Sequence, residues 1–144
     1  MLLYHVSIPV LCALAMNAYM NKSGKTGTKK YLPPGYIIGI IWTIIFGLLG
    51  YVHYGLFRLK NRINYGSMAI LFFIGFSLLY PLVNAINEKH GNFMNLVSLI
   101  LSFMVGAIVL TYSTRLFLFL IPLFVWVSFV NLIVLYHILY KKVI

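Results

Sequence analysis

Five long stretches without a single lysine, arginine, aspartate or glutamate leave this chain few folds to choose from. They cover roughly residues 2–20, 34–57, 67–86, 93–113 and 116–140. A helix rises about 1.5 Å per residue, so each stretch is long enough to cross a hydrocarbon layer of about 30 Å. The longest two exceed that thickness and are expected to tilt or to end in the interface. The connections, at 21–32, 58–66, 87–92 and 113–115, leave no room for a soluble domain. The expectation is one all-α domain over residues 1–144, an integral membrane bundle of five transmembrane helices. Composition agrees: 62% of residues are hydrophobic and 8% charged, where soluble domains run near half and about a quarter. The first stretch sits where a secretion signal would. No basic segment precedes it and no clean cleavage site follows, so it reads as a helix.

The net charge is +10, eleven Lys and Arg against one acid, Glu88. Such a balance can serve nucleic acid, whose phosphates these side chains neutralise. Here the cations lie between apolar runs and form no basic face. The expected partner is the lipid bilayer, and no nucleic acid. An odd number of spans puts the termini on opposite sides. Lys22, Lys25, Lys29, Lys30, Lys89, Lys141 and Lys142 share the side of the first loop and the C-terminus, while Arg58, Lys60, Arg62 and Arg115 take the other. That excess points the first loop and the C-terminus to the cytoplasm. Cys12 is the only cysteine, which excludes an intramolecular disulfide, and it is read as a packing residue.

The second span opens with Tyr31-x-Pro33-Pro34, and proline suits a helix start because its missing N–H costs nothing in the first turn. Gly35, Gly39, Thr43 and Gly47 then recur every fourth residue as one ridge. Small ridges let transmembrane helices approach closely. Close packing is the plainer reading of this ridge, and lining a ligand cavity is the alternative. Trp42, Phe46, Leu49 and His53 share a different face, and Trp126, Val130, Ile133 and His137 repeat that spacing in the fifth span. Each tryptophan stands eleven residues before its histidine, about 16 Å along the axis. An indole this deep either packs a core or lines a pocket for a flat apolar ligand, and periodicity alone favours the core.

Asn95 and Asn131 are polar residues in apolar helices, and each must find a partner. Pro81 should kink the third span, with Asn84 near enough to serve the carbonyl that the proline frees. The sequence holds no paired intramembrane carboxylates, no phosphate loop, no Ser/His/Asp constellation and no His/Glu cluster. No metal site, general acid or nucleophile is expected, and no cofactor is required. His5, His53, His90 and His137 lie on separate segments, which makes axial haem ligation a minor alternative. Val134-x-Tyr136-x4-Lys141 fits the proposed sterol-contact pattern, but so does Val52-x-Tyr54-x3-Arg58, and the pattern is degenerate.

Taken together, these residues resemble the TspO/MBR family, the translocator protein or tryptophan-rich sensory protein family, also called the peripheral benzodiazepine receptor family. The likeness begins at Tyr31-x-Pro33-Pro34, where the family has Trp-x-Pro-Pro. It runs through Gly39, Trp42, Phe46 and Gly50-Tyr51, resumes at Pro81, and returns in "LIPLFVWVSF" with Pro122, Trp126 and Phe129. The resemblance implies a five-helix bundle that forms homodimers. It also implies a pocket opening toward the first loop for porphyrins, including haem, for sterol or for benzodiazepine-type ligands. On that ground Trp42, Phe46, Leu49, Asn95, Trp126, Phe129 and Val130 become the candidate ligand-binding residues, Tyr31, Pro33 and Pro34 the candidate mouth, and loop 21–32 a candidate lid. This chain departs from the family where Phe76 and Leu79 replace Asn and Trp, Asn95 replaces Asp, and Leu123 replaces Tyr.

The leading functional expectation is binding, and translocation, of a hydrophobic planar ligand, with porphyrin preferred to sterol. A second is enzymatic, light-dependent porphyrin degradation, for which Trp42 and Trp126 are the only tryptophans available. A third is a membrane scaffold or regulator acting through helix contacts.

Overall fold

The computed structural model describes residues 1–22 and 31–143, with side chains as far as Lys141. Residues 23–30, most of the candidate lid, lie outside the described residues. The chain forms α1 (Leu2–Lys22), α2 (Gly35–Lys60), α3 (Tyr65–Ile86), α4 (Glu88–Tyr112), α5 (Thr114–Leu118) and α6 (Ile121–Val143). Five of these elements are long and apolar enough to cross a membrane once α5 and α6 are taken as one span, Thr114–Lys141. The fold is all-α, as the charge-free stretches require.

Local capping moves the helix ends away from the expected bounds. Asn64 starts α3 early. Its side chain accepts from Ser67 N at 3.0 Å while Ser67 Oγ accepts from Asn64 N at 3.2 Å, a reciprocal pair that satisfies two otherwise orphaned donors. Asn61 ends α2 at φ 48°, a left-handed conformation that asparagine tolerates better than most residues. The expected connection at 87–92 contracts to Asn87 alone. Its backbone N–H closes α3 on Val83 O at 3.0 Å, and its side chain accepts from Lys89 N at 2.9 Å to open α4. Glu88 then occupies the first turn of α4, where the helix dipole favours an acid.

The expected single helix over 116–140 is instead broken. Pro122 cannot donate to the carbonyl four residues back, so the chain tightens beforehand, with Phe119 N on Leu116 O at 3.2 Å and Leu120 N on Phe117 O at 2.9 Å. Pro122 itself falls in the first turn of α6, where its missing N–H is harmless.

The helices pack as a chain of neighbours: α1 on α2, α2 on α3, α3 on α4, and α4 on α6, with α1 also touching α3. The small ridge of α2 faces α1. A Cβ on Gly39 would lie 3.0 Å from Asn17 Nδ2, and one on Gly47 would lie 3.5 Å from Val10 Cγ2. Thr43 returns its hydroxyl to Gly39 O at 2.8 Å, so its polar group does not interrupt the ridge. Cys12 does not pack as expected. It is exposed, because α1 meets the bundle along one narrow face and buries only Pro9, Ala13 and Met20.

Burial is unequal between the two ends of the bundle. Leu49, Val52, Leu56, Ile70, Phe73, Val109, Leu120 and Leu123 are almost fully enclosed, and all stand toward the α2–α3 turn. At the opposite end, neither 35–44 of α2 nor 78–86 of α3 contains a buried residue.

Candidate ligand site

The two tryptophans stand where the dense end gives way to the open one. Phe46, Leu49 and Trp126 belong to one apolar cluster, and Trp42 and Val130 pack against it from a partly buried position. Trp42 lies 5.8 Å from Phe46 between ring centroids, and Trp126 lies 5.8 Å from Phe129. Trp126 is only 8% exposed, yet its indole Nε1 has no hydrogen-bond partner among the described residues. A buried N–H without an acceptor costs about 1–3 kcal/mol. Although α2 and α6 carry these indoles, they are not among the closely packed helix pairs.

A polar tie crosses the same region. Asn95 Nδ2 donates to Tyr80 Oη at 3.1 Å, and Asn131 Nδ2 donates to the Asn95 carbonyl at 3.0 Å and to Val127 O at 2.8 Å. Tyr80 thus partners the buried Asn95 side chain, backbone carbonyls partner that of Asn131, and the set links α3, α4 and α6. Asn84 plays a different part from the one expected. Its side chain fills the space over Gly91, where any Cβ would collide with it, and its Oδ1 is buried without a partner among the described residues.

At the first-loop end, Tyr31 stacks on His137 with centroids 3.8 Å apart and an 18° interplanar angle. These residues, with Glu88, Lys89, Asn92 and Lys141, line a cleft of about 660 Å³. Burial raises the Tyr31 phenol above the ordinary tyrosine range, and the Glu88 charge, Tyr80 and a hydrogen bond with Glu88 add to it. Pro34 accepts from Ile37 N at 2.9 Å and Ile38 N at 3.2 Å, so the prolines join this stacked tyrosine directly to α2. A second groove, about 350 Å³, runs between α1 and α2 along Asn17, Gly35, Gly39 and Thr43.

Other candidates are not gathered here. Phe129 is 44% exposed and turned to the outside of the bundle. The sterol-pattern residues diverge: Val134 is buried, while Tyr136 points outward against Tyr140 at 5.8 Å and Lys141 is exposed. Sequence reasoning missed the Tyr31–His137 stack and a contact between His5 and His53. For His53 and His137 the available signal was their register eleven residues beyond a tryptophan; His5 carried none.

Fold and site together define a multi-pass integral membrane protein built as a five-span helical bundle. The sequence profile of the TspO/MBR family matches residues 5–139, and the chain belongs to that family. No match was found among curated proteins or among solved structures.

Proposed function

We propose that the protein binds a planar hydrophobic ligand, porphyrin in preference to sterol, between the first-loop halves of its helices and passes it across or along the membrane. The observation that carries this reading is the unpartnered indole N–H of Trp126, buried beside an aromatic cluster at the edge of the loosely packed half. A ligand acceptor there removes a standing cost, while the partly buried Trp42 offers stacking area backed by the core residue Phe46. About 16 Å further along α6, Lys89, Lys141 and His137 at the first-loop cleft outnumber its one acid, Glu88, and suit the carboxylates of a porphyrin better than the single hydroxyl of a sterol. A cytoplasmic first loop and C-terminus, and assembly as a homodimer, belong to the same proposal and rest on the lysine bias and on the family resemblance.

The test is a dark titration of detergent-purified protein with protoporphyrin IX, followed by tryptophan quenching. Saturable quenching at low-micromolar ligand is expected, weakened severalfold by Trp42→Phe and by Trp126→Phe. Quenching that never saturates and is equal in all variants removes the ligand assignment. Light-dependent loss of porphyrin absorbance, abolished by Trp42→Phe, would mark the enzymatic alternative instead.

A further inference from the structure

Pro9 lies buried inside α1. Having no N–H, it leaves the carbonyl of His5, four residues earlier, without its helical donor. That carbonyl faces α2 at Gly50, where any Cβ would strike it and would lie 2.9 Å from Val6 Cα. Two backbones touch there, and the contact brings together imidazoles from different helices: His5 Nδ1 and His53 Nδ1 are 2.8 Å apart. A hydrogen bond between like nitrogens needs a proton on one and a lone pair on the other, so one proton lies between the rings. His53 is 8% exposed and His5 is half-buried. Tyr54 and Phe57 pack on His5 with centroid separations of 5.4 and 5.7 Å. Little else holds α1 in place. The bundle buries only Pro9, Ala13 and Met20 of it, and another tie to α2, from Asn17 Nδ2 to Gly39 O, is a long 3.4 Å.

We propose that the His5–His53 hydrogen bond is an acid-released latch: it holds the first turns of α1 on α2 while one proton lies between the imidazoles, and lets them go when each imidazole carries its own. An imidazolium has protons on both nitrogens and accepts nothing. With both rings charged, two N–H groups would oppose each other across the gap, and repulsion between like charges would replace the bond. A charged His53 gains nothing elsewhere, since its Nε2 is buried without a partner among the described residues.

The neighbours cannot compensate that charge. On α2 the pair meets the Tyr54 phenol and Arg58, which lies 5.8 Å over the Tyr54 ring, with Lys60 and Arg62 exposed beyond. At this end α1 adds the Met1 amino group and the outward Tyr4, α3 adds the exposed Tyr65, and α5 adds the exposed Arg115. All are cations or phenols. The only acid in the chain, Glu88, opens α4 at the opposite, first-loop end. Water reaches the pair from close by, because exposed Arg58 lies five residues, about 7.5 Å, beyond His53. Release leaves the rest standing, since Ala13 is the one residue that α1 gives to the buried core cluster. The latch does not rest on the porphyrin reading.

The sign follows from proton counting. Separated imidazoles titrate near pH 6.5 and take two protons, one more than the latched pair holds. Acid favours the state that binds more protons, so the ratio of released to latched α1 should rise about tenfold per pH unit below about 6.5. The test places nitroxides on Leu3→Cys and Met68→Cys, both exposed, in a Cys12→Ser background of the full-length protein in nanodiscs. Double electron–electron resonance should give one narrow separation at about pH 7.5. A second, longer separation should grow in at about that tenfold rate down to about pH 5. His5→Phe and His53→Phe should each abolish the pH response, and His90→Gln, at an exposed site on α4, should leave it intact. A distribution in the parent that stays the same across this range overturns the latch. So does a longer separation that appears with acid equally in both phenylalanine variants. Nitrogen-15 spectra of the histidine rings in the parent decide the matter if a variant fails to fold. The two Nδ1 atoms should share one proton at about pH 7.5, and two rings titrating independently overturn the proposal.

Discussion

Trp126 and Tyr31 show how single side chains here trade packing against polarity. A tryptophan kept only for packing should be costly to replace. Its unpartnered N–H offsets part of that cost, because phenylalanine removes the orphan donor together with some apolar area. Trp126→Phe should therefore leave the ligand-free melting behaviour in detergent within about 1 kcal/mol of the parent while weakening porphyrin binding. A loss of several kcal/mol without ligand would identify Trp126 as a core residue only. Tyr31 carries a pH signature. Its folded phenol sits above the ordinary value of about 10, so the folded state holds the proton more tightly than the unfolded chain. The stability this gives is complete below about pH 10 and is lost as pH climbs through the raised value. Unfolding midpoints measured up to about pH 11.5 should fall less steeply for Tyr31→Phe than for the parent. Parallel curves would show that neither burial nor the neighbouring Glu88 raises the Tyr31 phenol.

At the level of helices, close approach and polar ties divide the work of association between them. Water cannot drive helices together inside lipid, so contact area and buried hydrogen bonds must do so. The α1–α2 contact depends on Gly50 most severely, since the obstacle to a Cβ there is backbone rather than a movable side chain. Gly50→Ala should cost about 1–3 kcal/mol by forcing the helices apart, visible as a lowered thermal midpoint in detergent. An unchanged midpoint would mean that α1 docks elsewhere. The α3–α4–α6 tie is milder. Asn95→Ala removes the bond to Tyr80 Oη while leaving the backbone carbonyl that Asn131 uses, so the loss should be about 0.6–1.7 kcal/mol. A much larger loss would point to a role for Asn95 beyond this tie.

Across the whole molecule, α2 and α3 are packed firmly toward their shared turn and loosely toward the first loop, where α4 keeps Gly91, Asn95 and Ser98 buried. That gradient gives the α2–α3 pair a stable end and an adaptable one, and under the proposed function it directs the search for ligand contacts to the loop end. Orientation can be checked in a Cys12→Ser background with a membrane-impermeant maleimide. Ile63→Cys should label in intact cells, and Lys22→Cys only after permeabilisation. The reverse pattern would invert the proposed topology.

How much of this was legible beforehand follows from the range of each interaction. Span number and approximate length need only local hydropathy, because a chain in lipid must satisfy its backbone within each helix. The tryptophan faces could be read too, since helical periodicity fixes which residues share a side. The ends of α3 and α4 could not be read from hydropathy, because they are set by asparagine caps, nor could the break before α6. Contacts between helices were out of reach for a deeper reason. His5 and His53 are separated by most of α1, a loop and most of α2, and nothing in either segment specifies the rotation that brings them together. The His5 carbonyl, which Pro9 leaves without a helical donor, lies against Gly50 and fixes that rotation, and only the packed bundle brings the two together. The sequence by itself determined a five-span membrane protein with an aromatic inward face. The tertiary structure decided which polar atoms meet, because partners in a bundle depend on helix rotation and crossing, which no single helix carries.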